Sequence, residues 1–210
     1  MENLVVRYEF ARHNKQRPKL YIKHFLEDTI CVPTIEKMAK ACDAKSLVFT
    51  DTQQNEKLPI LTQSFYAKAN LFKLLDNLDF KKALWVDNDI EFVDPTFNPF
   101  DLPNLSCQAN PFLNQFFQNA KVGTNFGFLL FDKDTNTKLA KQEIDQIGFN
   151  KNKHSIPSKA IDEWHLASCF YNLNLKPNFL PLHIGKFPKQ EAKAKFIHWK
   201  QNTLAQDLFK

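Results

Sequence analysis

Glycine is scarce in this chain of 210 residues. Gly123, Gly127, Gly148 and Gly185 are the whole supply, where average usage of about 7% gives roughly 15. No GxGxxG and no GxxxxGK[ST] can be written with four glycines so placed. A Rossmann dinucleotide fingerprint and a P-loop are therefore excluded. Any phosphate bound here must be met by a metal ion or by fixed basic side chains. Long apolar runs are missing too. Mean hydropathy is −0.42, and no stretch approaches the ~20 apolar residues that span a bilayer. The opening MENLVVRYEF is too short and too charged for a secretory signal, so the expected location is cytoplasmic. Cysteine is limited to Cys31, Cys42, Cys107 and Cys169, with no CxxC among them. They read as scattered reduced thiols. A strong charge of one sign is also lacking. The net charge of +5 comes from lysines spread along the whole chain, which is mild for a nucleic-acid binder. One local excess, Lys186, Lys189, Lys193, Lys195 and Lys200, suits an anionic ligand, an anionic membrane surface or a plain solvated face.

What the chain has in plenty is phenylalanine, 21 residues, mostly set in apolar runs that read as core. Its length fits a single domain, 1–210, with a core of its own. Apolar runs alternate with helical patterns, the pattern of an α/β fold. Strands are expected over 4–10 and 46–51, at 83–86 with 90–93 continuing extended, near 105–108, over 126–132, and in the stretches 178–185 and 194–199. Helices are expected over 33–42, 64–78 with Ser64 as N-cap, 135–148 stopped by Gly148, and 160–173.

The informative block is ALWVDNDIEFVDP, residues 83–95. ALWV is wholly apolar, as in a strand buried on both faces. It delivers two carboxylates, Asp87 and Asp89, spaced i and i+2. In extended chain that spacing puts both on one side, here at the carboxyl end of a strand, where α/β sheets hold ligands. Two such carboxylates repel unless a cation joins them. A hard divalent cation does so and can bind diphosphate oxygens at the same time.

The block SFYAKANLFKLLDNLDFKKALWVDNDIEFVDP (64–95) resembles the central part of GT-A-fold glycosyltransferases, the family 8-like enzymes above all. These show a helix with a basic residue, a turn, an apolar strand and then a D-x-D motif. TNFGFLLFD (124–132), IDEWHLASC (161–169) and FIHWKQ (196–201) resemble later segments of those enzymes in the same order. The resemblance implies a GT-A type α/β fold, with a mostly parallel mixed central sheet flanked by helices. It implies Asp89 and Asp87 as metal ligands, Asp87 also touching the donor ribose, and His198 as the third ligand, with His183 as its rival. Lys200 would sit near the phosphates and Lys68 would reach the donor. Asn125, Asp162 and Glu163 would line the sugar or acceptor side. Asp162 or Glu163 would serve as base if the reaction inverts. Asp51, Arg7 and Tyr8 would border the nucleoside.

The activity so implied is transfer of a hexose from a nucleotide-diphosphate sugar, a UDP-sugar first, to a hydroxyl of a glycan or glycoprotein. Mn2+ or Mg2+ would be the cofactor. Two rivals remain. A sugar-phosphate nucleotidyltransferase also uses acidic metal sites, but usually opens with a glycine-rich basic loop, and no glycine precedes position 123. A non-enzymatic basic module could stack bases on its aromatics, and the apolar setting of the phenylalanines speaks against it.

Overall fold

The computed structural model describes residues 1–9, 25, 27–50, 68, 70–110, 123–142, 161–181, 185–186 and 194–199. Strand β1 (Asn3–Glu9) leads, after a short π-helical turn (Glu27–Cys31), into helix α1 (Val32–Ala41), with Pro33 in its first turn. Proline fits there because the first turn leaves its N–H groups unbonded in any case. Strand β2 (Ala44–Thr50) follows. Residues 70–76 form helix α2. Next come β3 (Lys82–Val86), β4 (Ile90–Phe92), β5 (Ser106–Asn110) and β6 (Gly123–Asp132). Helix α3 (Lys133–Ala140) starts where Asp132 accepts the Thr135 N–H at 2.8 Å, an ordinary N-cap. Helix α4 (Ile161–Asn172) and the short strands β7 (Asn178–Phe179), β8 (Gly185–Lys186) and β9 (Phe196–His198) complete the order.

The central sheet has six strands in the order β2-β1-β3-β6-β5-β7. It is mostly parallel: β1 runs parallel to β2 and β3, and β5 to β7, while β6 is antiparallel to both β3 and β5. A second sheet, β4-β9-β8, has three strands. Strand alternation divides the core cleanly. Leu4, Val6, Ala83, Trp85, Leu129 and Phe131 face α2, α3 and α4. Val5, Leu84, Val86, Phe128 and Leu130 face α1 and the small sheet. Strand β3 is thus buried on both faces, as its run of apolar residues implies.

Several expected elements differ in extent. Helix α3 begins two residues before Thr135 and ends at Ala140, with Lys141 as C-cap; Gly148 lies outside the described residues. Ser64 and Phe65 also lie outside them. The segment after Val86 does not continue extended. The Ile90 N–H returns to the Asp87 carbonyl at 3.1 Å, and β4 leaves for the second sheet. Helical and strand ends are closed without glycine: Asp43, Leu105 and Asn174 take positive φ, and no described glycine does. Asn and Asp tolerate that region, whereas a leucine there is strained. The Leu105 position is held by its carbonyl, which accepts the Asn178 N–H at 2.9 Å. All four cysteines are free thiols. No helix among the described residues is long and apolar enough to cross a membrane.

Candidate functional site: an acidic cluster at the end of β3

Strand β3 ends against β6, and the Asp87 N–H donates to the Gly127 carbonyl at 2.8 Å. The turn that follows puts Asp87 and Asp89 on one side. Their convergence comes from this turn, not from strand alternation as the extended reading supposes. Strand β4 then pairs antiparallel with β9, setting Ile90 opposite His198. The Trp199 N–H donates to the Asp89 carbonyl at 2.8 Å. This pairing delivers the imidazole to the carboxylates: His198 Nε2 lies 3.3 Å from Asp89 Oδ1.

Asp87, Asp89 and His198 offer ligand atoms within 4.8 Å of one another. Atoms bound to a common small divalent cation at about 2.1 Å lie roughly 3 to 4.2 Å apart, so slight closing would seat one. Two hard carboxylate donors and an imidazole suit such an ion. Asp89 and His198 are 8% and 5% exposed. Low exposure strengthens electrostatic attraction to a bound cation. A cationic group already belongs to the cluster. The Lys68 ammonium lies 2.7 Å and 2.9 Å from the two Asp87 oxygens, and 5.7 Å from the ring centres of Trp85 and Phe126. Trp85 Nε1–H donates to Asp87 Oδ1 at 3.2 Å.

The middle residue of the motif is turned the other way. Asn88 donates to the Tyr8 carbonyl at 3.0 Å and accepts from Arg7 at 3.2 Å. Arg7 is 5% exposed. Its guanidinium also binds Glu36 and stands 3.6 Å from Glu9. Ser46 donates to the other Glu36 oxygen at 2.7 Å. The D-x-D turn is therefore tied to the end of β1 and, through Glu36, to α1.

The remaining expected residues fall elsewhere or out of view. Asn125 lies on β6, opposite Gln108 in register. Asp162 and Glu163 belong to the first turn of α4, which packs on β6, and Glu163 is half-buried there. Asp51, Lys200 and the rival His183 lie outside the described residues. Of the late lysines, Lys195 forms an ion pair with Asp94, whose carboxyl is held well below its usual range by the Lys195 and Thr96 hydrogen bonds.

Three members of the site escape a reading of the sequence: Gln108, Asn88 and Trp85. Gln108 falls in the short strand expected near 105–108, but nothing in SCQAN (106–110) sets its side chain apart. Its Oε1 lies 3.1 Å from His198 Nδ1. A histidine–cysteine contact, His165 with Cys169 at 3.5 Å on α4, has a different character. Burial pushes the Cys169 thiol up to about 12. Burial and Lys73 pull His165 down to about 4. Both stay neutral at ordinary pH, so the pair is packing and not an activated nucleophile.

No protein-family model matches the chain, and no curated protein matches it significantly. Among solved structures, the fold is similar to that of a glycosyltransferase involved in the glycosylation of the major capsid of PBCV-1. The TM-score is 0.56 at 10% identity, and all of each chain is covered. At that identity the likeness is one of fold, and it agrees with the expected mixed α/β architecture.

Proposed function

We propose that the chain is a metal-dependent glycosyltransferase of family 8-like type, with a single catalytic domain. It moves a hexose from a nucleotide-diphosphate sugar, a UDP-sugar foremost, to a hydroxyl of a glycan or glycoprotein. The observation that carries this reading is the Asp87, Asp89 and His198 cluster, set on a fold similar to that of a glycosyltransferase. Those three side chains would hold Mn2+ or Mg2+, the imidazole favouring Mn2+. Such an ion supplies charge stabilisation for the departing diphosphate.

The chain's own residues divide the rest of the work. Lys68, already on Asp87, is placed to follow the negative charge of the donor. Asp87 would also touch the donor ribose. Asp51, Arg7 and Tyr8 would border the nucleoside. Lys200 adds positive charge to the diphosphate. Asn125, Asp162 and Glu163 line the sugar and acceptor side. The bond from the anomeric carbon to the diphosphate oxygen breaks, and a bond to the acceptor oxygen forms. The hydroxyl proton passes to Asp162 or Glu163 if the reaction inverts.

The test is a thermal-shift and calorimetric scan of UDP-, GDP- and other nucleotide sugars with and without Mn2+. Stabilisation by one nucleotide class that requires Mn2+ and vanishes in Asp89→Ala is the expected result. Indifference of the wild-type protein to every sugar nucleotide refutes the proposal.

A further inference from the structure

We infer that Gln108 is a positioning residue for the metal site: it holds His198 in the tautomer whose Nε2 lone pair faces the two carboxylates. The inference rests on the metal reading proposed above. Gln108 is 4% exposed, so its amide oxygen and N–H groups must find partners inside the protein. Its Oε1 stands 3.1 Å from His198 Nδ1. A carbonyl oxygen only accepts, so the proton of that hydrogen bond sits on Nδ1. A neutral imidazole has one N–H. In the neutral form that binds a metal, with that N–H committed to Gln108, the lone pair is on Nε2, which stands 3.3 Å from Asp89 Oδ1. A cation shared by that lone pair and the carboxylates would attract both. Imidazole ligands generally have the second nitrogen fixed in this manner by an acceptor behind the ring.

The backbone shows how Gln108 arrives there. Ser106 and Cys107 pair with Leu130 and Leu129, and then the register jumps, so that Gln108 stands opposite Asn125. The residues of β6 passed over include Gly127, whose carbonyl fixes the Asp87 N–H. One irregularity between β5 and β6 thus serves both sides of the site, Asp87 directly and His198 through Gln108. Irregular pairing next to a site commonly re-aims a side chain in this way. The choice of an amide is also chemical. A glutamate would fix the same tautomer but bring a third negative charge to a pair of carboxylates.

The experiment uses the full chain, without sugar nucleotide. Mn2+ affinity is measured by calorimetry and by electron paramagnetic resonance of free Mn2+. The His198 tautomer in the metal-free protein is read by 15N imidazole NMR. Gln108→Met keeps the size and loses the acceptor; it is expected to weaken Mn2+ binding about 10- to 100-fold and to shift the proton from Nδ1 toward Nε2. Gln108→Glu restores the Nδ1–H signature and most of the affinity. Should the methionine variant fail to fold, Gln108→Asn, one methylene too short to reach the ring, replaces it. Wild-type affinity in the methionine or asparagine variant overturns the inference and leaves the metal reading standing. So does a glutamate variant as weak as the methionine one. Absence of Mn2+ binding by the wild-type protein overturns both.

Discussion

Phe196 is the bolt between the small sheet and the central one, and its removal is a sharp test of how the site is held. The ring is fully buried. It stacks on Phe128 of β6 with centroids 4.6 Å apart and planes within 3°, and meets Phe92 at 5.8 Å and Phe97 at 6.4 Å. Phe128 pairs in register with Val86, the residue before Asp87. Truncating a buried phenylalanine to alanine costs about 3–5 kcal/mol, from lost transfer energy and the cavity left behind. Three ring neighbours place Phe196→Ala in the upper part of that range, since good aromatic pairs add about 0.5–1.5 kcal/mol each beyond burial. For a chain of this size about 1 kcal/mol moves Tm by roughly 2–4 °C, so Tm should fall by roughly 8–20 °C. Phe196→Leu refills most of the space and should cost about 1–2 kcal/mol. Guanidinium unfolding followed by circular dichroism gives the stability change, with the slope checked for constancy. Mn2+ calorimetry on the same samples gives the effect on the site. His198 stands two residues along β9, so the alanine variant should also bind Mn2+ about tenfold more weakly. A stability loss below about 1 kcal/mol refutes the packing role. A full loss of stability with unchanged Mn2+ affinity refutes the link between that packing and the site.

Three further outcomes follow from groups already described. His165 is buried and pulled down to about 4, while its unfolded value is about 6.5. Between these values the unfolded chain binds a proton that the native one does not, so stability falls as pH drops through that window, by about 3 kcal/mol in all. His165→Leu should flatten that part of the pH–stability curve, and an unchanged slope would refute the assignment. Arg7→Met removes the buried guanidinium from Glu36 and Asn88; unfolding should show a loss of about 1–3 kcal/mol, and Arg7→Lys should fail to restore it because a compact ammonium cannot span both partners. A wild-type stability for either would sink that account of the turn. With an aromatic disulfide reagent at pH 8, Cys42 alone should react in the native protein. Burial excludes the reagent from Cys31, Cys107 and Cys169 and pushes the Cys107 and Cys169 thiols up to about 12. Fast modification of a second thiol in the folded state would contradict this.

Much of the fold was legible because it is written locally. The uninterrupted apolar run 83–86 announces a strand covered on both sides, and the structure covers it with α2, α3 and α4 on one face and α1 with the small sheet on the other. Asp87 and Asp89 were equally plain, since both stand in one turn at the end of that strand. The spacing pointed to them for a reason that does not hold in detail: IEFV looks like more of the same strand, yet it belongs to another sheet. Nothing local distinguishes a strand that continues from one that turns and finds a distant partner. For the same reason the physical cause of His198 reaching the site, its register with Ile90, is absent from the residues around either one. Asn88 and Gln108 act through partners 80 and 90 residues away, and neither distance leaves a periodic mark.

The β4–β9 pairing also sets a clock. Asp87 and Asp89 leave the ribosome about a hundred residues before His198, which at about 5–20 residues per second is roughly 5–20 seconds. Throughout that interval the nascent chain offers the two carboxylates with Lys68 close by in sequence, but not the imidazole of His198. The cluster of Asp87, Asp89 and His198 cannot assemble before His198 has been made. A fragment truncated before Phe196 would lack β9 and His198 with it. Under the proposed metal reading, gain of cation affinity would therefore report, in a single late step, that β9 has been made and has found its place.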